Sequence, residues 1–166
     1  MRINEYLDKS KIGEKVFKKP ILWKKPKIRI YIDDSISATT AKFLNTLKGF
    51  NILYAYEKKE YRGKSHLSHY EKAKSEGRIL LTMEKSFWDD ENFSLKESYG
   101  IIIVEETDTK AVNSAISSFF AHFDSPDARV KIRDYFKQLK VRVSTNNILL
   151  KFKTFDGKTE YRSIKP

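Results

Sequence analysis

Four short, nearly unbroken apolar runs limit what this chain can fold into: Ile28–Ile32, Asn51–Ala55, Arg78–Thr82 and Gly100–Val104. A strand with one face in water alternates apolar and polar residues. A strand covered on both faces need not, and runs of this kind belong to parallel sheets sandwiched between other layers. Helical spacing fills the gaps between them. Ile36, Thr40, Phe43, Leu44 and Leu47 fall on one face, with Ser35 or Ser37 as the cap and Gly49 as the stop. Ser65 can cap a second helix running to Glu76 and burying Leu67, Tyr70 and Ala73, with Gly77 at its end. Thr109–Phe123 and Pro126–Leu139 read as further helices, the latter with Ser125 as cap and Pro126 at its first position. Strands alternating with helices in this order predict an α/β fold with a mostly parallel sheet in three layers.

The two ends differ in kind. Residues 1–27 mix lysines with scattered apolar residues, and Pro20 and Pro26 break any long helix, so a basic arm with one short helix over Asn4–Lys11 is expected. At the other end Val141–Thr145, Ile148–Phe155 and Thr159–Ile164 are separated by Asn146-Asn147 and Asp156-Gly157. These are turn residues, and they predict an antiparallel meander. The expected organisation is therefore an arm over 1–27, an α/β domain over 28–140 and a β extension over 141–166.

Charge is unevenly divided. The net +11 of the 166 residues comes from the flanks: residues 1–27 hold nine Lys or Arg against three acids, and residues 106–166 hold twelve against seven. Residues 28–105 hold twelve of each. A neutral centre between basic flanks suits a polyanionic partner. The chain has no cysteine, which removes disulfides and thiolate metal sites and is compatible with a cytoplasmic setting. No apolar run approaches the roughly 20 residues needed to span a bilayer, and Met1–Lys27 lacks the apolar core of a secretory signal.

The first strand ends in Asp33-Asp34 and the third runs into Glu84, with Asp89 and Asp90 close behind. Open α/β sheets bind ligands at the carboxyl ends of their strands. Hard carboxylate oxygens grouped there suit Mg²⁺ or Mn²⁺. Asp33, Glu84 and Asp89 are the candidate catalytic residues, with Asp33, Asp34, Glu84 and Asp89 as metal ligands. Asp90 is a candidate to line the same site. Lys18, Lys19, Lys24, Lys25 and Lys27, with Trp23 among them, and Arg62 and Lys64 before the second helix, are candidate contacts to nucleic acid. Phe87 and Trp88 are expected to close the core beneath the site.

Over about residues 28–105 the chain resembles the PIN-like superfamily, in its short branch related to toxins of toxin–antitoxin operons and to small ribonuclease domains. Asp33-Asp34-Ser35 lies where that branch has an Asp-Glu-Asn-like triplet after the first strand. Gly63-Lys64-Ser65-His66 lies at its Gly-x-Ser-Asp element, and Arg78-Ile79-Leu80-Leu81-Thr82-Met83-Glu84-Lys85-Ser86-Phe87 at its Arg-Val-Leu-Val-Thr-x-Asp-x-Asp-Phe element. The resemblance implies a PIN-like α/β/α sandwich and a Mg²⁺- or Mn²⁺-dependent endoribonuclease, with RNA and an antitoxin as partners; a second copy of the chain is a further candidate partner. Two acids of the family pattern are replaced here, by His66 and Ser86, which become possible site-lining residues. Their loss implies the alternative of a PIN-like module with a degraded site that binds nucleic acid or a partner protein without turnover. A third reading is a protein-binding scaffold that uses an exposed strand edge of the meander.

Overall fold

The fold was analysed in a computed structural model, which describes residues 28–47, 49–122 and 136–166. The basic arm, with Lys18, Lys19, Trp23, Lys24, Lys25 and Lys27, lies outside the described residues, as does most of the predicted helix Pro126–Leu139.

Seven strands form one sheet: β1 (Ile28–Ile32), β2 (Phe50–Tyr54), β3 (Ile79–Thr82), β4 (Ile101–Val104), β5 (Leu139–Val143), β6 (Ile148–Lys153) and β7 (Thr159–Ile164). Their spatial order is β2-β1-β3-β4-β5-β6-β7. Pairing is parallel from β2 through β5 and antiparallel from β5 to β7. The expected α/β class with a mostly parallel sheet is therefore present. The meander is built as expected, and it continues the parallel sheet because β5 pairs with β4 from Ile101↔Lys140 to Val104↔Val143. Three helices are present among the described residues: α1 (Ala38–Thr46), α2 (His66–Ser75) and α3 (Thr109–Ala121).

The unbroken apolar strands have the expected cause. Ile28, Ile30 and Ile32 of β1 face one layer, together with Leu81, Ile102 and Val104, under Leu44 of α1 and Val112, Ile116 and Phe119 of α3. Tyr31, Leu80, Ile101 and Ile103 face the other, under Tyr70 and Ala73 of α2 and under Phe87 and Phe93. Neither face can be polar. Ser37 caps α1 by accepting from the Thr40 N–H, Ser65 caps α2 from the Ser68 N–H, and Asp108 caps α3 from the Ala111 N–H. Leu67, expected inside, is 55% exposed, and His69 takes the buried position on α2. The α2 stripe is shifted because its inward positions run His69, Tyr70, Ala73.

Residues 83–100 carry no helix beyond a 3₁₀ turn at Lys85–Trp88, yet they cover the second face. Two lysines fix their path. Lys140 of β5 is fully buried, and its Nζ donates to Asp89 O at 2.9 Å, Phe93 O at 2.6 Å and Asp90 Oδ1 at 2.8 Å. Lys151 of β6 donates to Trp88 O at 2.9 Å and pairs with Asp90 Oδ2 at 2.8 Å. Burial alone would push the Asp90 carboxyl up, but these two ammonium groups outweigh it and hold it below its ordinary value. Gly100 then leads into β4 at φ +113°, and a Cβ there would stand 2.8 Å from Phe136 O, so only glycine fits.

Removing Asp90 should therefore be costly. Asp90→Ala leaves two buried ammonium groups without their counter-ion, and the expected loss is about 3–5 kcal/mol in urea unfolding. Limited proteolysis should then cut first within residues 88–96. An unfolding midpoint equal to wild type would show that the clamp contributes nothing.

Candidate functional site

The order β2-β1-β3 reverses the direction of chain progression between β1 and β3, which makes the carboxyl ends of these two strands the switch point of the sheet. A cleft of about 430 Å³ opens there. Its walls are the β1 end (Asp34, Ser35, Ile36), the β3 end (Met83), the β2 end (Tyr54, Tyr56) and the first turns of α1 and α3 (Ser37, Ala38, Thr40; Thr107, Thr109, Val112). Hydroxyl groups dominate its polar lining. Tyr56 is 46% exposed at the rim, and the Arg62 guanidinium lies 4.1 Å above its ring while donating to the Tyr56 carbonyl at 2.7 and 2.9 Å.

Asp33 lies behind this cleft. It is only 1% exposed, and both carboxylate oxygens accept hydrogen bonds from within the chain. Oδ1 accepts from the Ser35 N–H at 3.1 Å and from the Ser35 hydroxyl, and Oδ2 accepts from the Thr82 hydroxyl at 2.6 Å. The same hydroxyls continue the network: Ser35 Oγ accepts from the Met83 N–H at 2.9 Å, and Thr82 Oγ1 from the Glu84 N–H at 2.9 Å. Asp33 thus crosslinks the ends of β1 and β3. Burial raises its carboxyl above the ordinary value, and the hydrogen bonds from Ser35 and Thr82 offset this only in part.

Asp34 points the other way. Oδ2 accepts from the Gly63 N–H at 2.7 Å, and Oδ1 lies 3.1 Å from Nε2 of the buried His69. That nitrogen is off the line of a good hydrogen bond and has no other partner, so the approach is a close polar contact. His69 Nδ1 is 2.7 Å from the Tyr31 hydroxyl. Burial, then the nearby Asp33 and Asp34 charges, push the Tyr31 phenol far up, so it stays protonated.

The remaining expected residues do not join Asp33. Glu84 is 43% exposed, with His66 Nε2 3.8 Å away, and His66 Nδ1 lies 3.1 Å from Ser86 Oγ. Asp89 closes a turn, accepting from the Glu91 N–H at 3.0 Å and the Asn92 amide at 2.6 Å, which lowers its carboxyl below the ordinary value. Asp90 is held by Lys140 and Lys151. Among the described residues no three His, Asp or Glu side chains form a group that could hold a metal ion. The four expected ligands Asp33, Asp34, Glu84 and Asp89 are therefore not gathered into one donor set. A Mg²⁺ or Mn²⁺ centre built on Asp33 does not fit this arrangement, because Asp33 is only 1% exposed, does not line the cleft and, among the described residues, has no two further His, Asp or Glu side chains gathered with it. Phe87 closes the core as expected, being fully buried, whereas Trp88 is only half-buried.

Ser35, Thr82, Tyr31 and His69 complete the site but were not among the residues singled out from the sequence. Ser35 had a usable signal, since an Asp followed two residues later by Ser is a common local turn. Nothing in the spacing of Tyr31 and His69, 38 residues apart, marks them as a pair.

No protein-family model, curated protein or solved structure matches the chain. No helix among the described residues is long and apolar enough to cross a membrane.

The Asp33 network makes a prediction with a definite sign. Asp33→Ala orphans three donors and should cost about 3 kcal/mol. Asp33→Asn can keep all three contacts if Thr82 turns to accept. A carboxyl whose folded pKa is raised contributes most below its unfolded pKa and loses that contribution as pH rises through the folded one. The Asn variant should therefore gain on wild type between pH 4 and pH 7 in paired urea titrations. A gap that widens in favour of wild type over that range would contradict the buried, raised carboxyl.

Proposed function

We propose that this chain is a PIN-like module that binds single-stranded RNA at the switch-point cleft without metal-dependent turnover. The observation that carries this reading is the inward-turned Asp33. The residue aligned with the family's leading metal ligand is spent on Ser35 and Thr82, and the other carboxylates lie in separate contacts. Three features support RNA as the ligand. The cleft has the volume of a nucleotide-sized site. The Tyr56 ring at its rim offers a face for a base, backed by Arg62, with Lys64 exposed nearby. The first turns of α1 and α3 meet there and place positive dipole ends beside a phosphate.

Hydrolysis remains the second reading for one reason. Asp34 and Glu84 are partly exposed, at 27% and 43% of their side chains, and follow neighbouring strands. Mg²⁺ can be held by one or two carboxylates together with substrate oxygens. A toxin role and an antitoxin partner belong to that reading.

Fluorescence anisotropy with a short labelled single-stranded RNA in EDTA separates the two. Binding should persist without divalent ions, weaken steeply with salt, and drop about five- to tenfold in Tyr56→Ala. The same RNA incubated with Mg²⁺ or Mn²⁺ should stay intact. Cleavage that needs a divalent ion and disappears in Asp34→Asn and Glu84→Gln would replace the binding module with the nuclease.

A further inference from the structure

Among the described residues the second face of the sheet is covered by α2 and residues 83–95, and on β7 Tyr161 and Ser163 are exposed. On this face Lys140, Lys151 and Tyr161 form one cross-strand row, with Arg142, Leu149 and Ser163 in the next and Lys153 and Thr159 on the other side. Trp88 leans over the rows from the loop. Its ring centroid is 6.4 Å from that of Tyr161, the Arg142 guanidinium lies 5.6 Å from it and the Lys151 ammonium 5.2 Å. Tyr161 is 54% exposed, which is unusual for so large a ring on a sheet face.

We propose that this face is a second single-stranded RNA surface, on which a base stacks against Tyr161 beside the edge of Trp88 while Arg142 and Lys153 contact the flanking phosphates. The partner class rests on the RNA-binding reading of the cleft, but the geometry is independent of it. Aromatic rings interleaved with cations on an open sheet suit bases and phosphates together. Charge favours a polyanion over an apolar protein surface: this face sets Lys140, Lys151, Arg142 and Lys153 against Asp90 and Glu105. Two cations of the platform are pinned rather than loose. Arg142 pairs with Glu105, and Lys153 donates to Thr159 Oγ1 at 2.6 Å, so both are oriented before a ligand arrives. Lys151 is buried on Asp90 and serves to hold Trp88 in place, leaving the phosphate contacts to the other two.

The test uses the full chain and the same labelled single strand at about 50 mM salt, where phosphate contacts are strong. Tyr161→Ala should weaken binding about tenfold and Tyr161→Phe should restore it, because stacking needs the ring and not the hydroxyl. Lys153→Gln should lower the slope of log affinity against log salt by about 0.7. In a Trp23→Phe background Trp88 is the sole tryptophan, and its emission should be quenched by the RNA and left unchanged by the same RNA with Tyr161→Ala. If Tyr56→Ala weakens binding while Tyr161→Ala and Lys153→Gln do not, the cleft stands and the platform is overturned. The opposite pattern keeps the platform and removes the cleft. A wild-type chain with no affinity for single-stranded RNA at this salt overturns both, as does equal binding of a protein or duplex competitor through Tyr161 for the platform alone.

Discussion

The arrangement of this molecule follows from one buried ammonium group. Lys140 projects from β5 into the layer of Phe87 and Phe93, and an unpaired charge there would be expelled or neutralised. Its acceptors are two carbonyls and a carboxylate from a single loop, Asp89 O, Phe93 O and Asp90 Oδ1. That loop is consequently drawn down onto the sheet. Burial lowers the Lys140 pKa and the Asp90 charge raises it in part, so the pair is held together by mutual need more than by surplus attraction. Once the loop is down, Phe87 and Phe93 close the second face, Trp88 is set beside β6, and Asp90 is no longer available to the strand ends.

A similar substitution of internal contacts for ligand contacts explains the site. An Asp at the end of a first strand is well placed for a metal, and the sequence marks it so. Whether it serves one depends on what else can donate to it. Here Ser35 and Thr82 supply three hydrogen bonds from within the chain, and Met83 and Glu84 donate to those hydroxyls in turn. To coordinate an ion Asp33 would have to turn outward an oxygen that is now buried, which would break its bonds to Ser35 and Thr82 and leave those donors unpaired. The network therefore competes with a metal on energetic terms, and it also joins β1 to β3 at the point where the sheet reverses direction.

Much of the fold was legible because it is carried by local and periodic signals. The strands Ile28–Ile32 and Thr159–Ile164 lie where their patterns put them, Ser65 caps its helix, and the Asn146-Asn147 and Asp156-Gly157 turns separate the last three strands. What was not legible depends on depth and on distant partners. Lys140 and Arg142 alternate with Leu139, Val141 and Val143, so the period shows that they face away from the apolar layer. It does not show that Lys140 is sealed while Arg142 reaches solvent, because that is decided by a loop about 50 residues earlier. Asp89 is a candidate ligand in the sequence and Asp90 a site-lining residue beside it, yet one closes a turn and the other holds two lysines. Leu67 is placed in the core on spacing alone, but the first inward position of α2 shifts to His69, two residues on, while Tyr70 and Ala73 stay inside.

His69 shows why such a shift bears on function. The buried imidazole is hydrogen-bonded to the Tyr31 hydroxyl through Nδ1, and its Nε2 lies in close polar contact with the Asp34 carboxylate. This ties α2 to the end of β1 and turns Asp34 towards the Gly63 amide, where φ of +66° lets the backbone N–H reach it. Asp34 consequently sits at the wall of the cleft as an oriented acceptor, suited to a hydroxyl or amino group of a ligand more than to a phosphate. The positive dipole ends of α1 and α3 lie on the same cleft. A ligand that carries an anionic group and a neutral donor on one small unit meets both demands, and a ribonucleotide has that pairing in its phosphate and its 2′-hydroxyl.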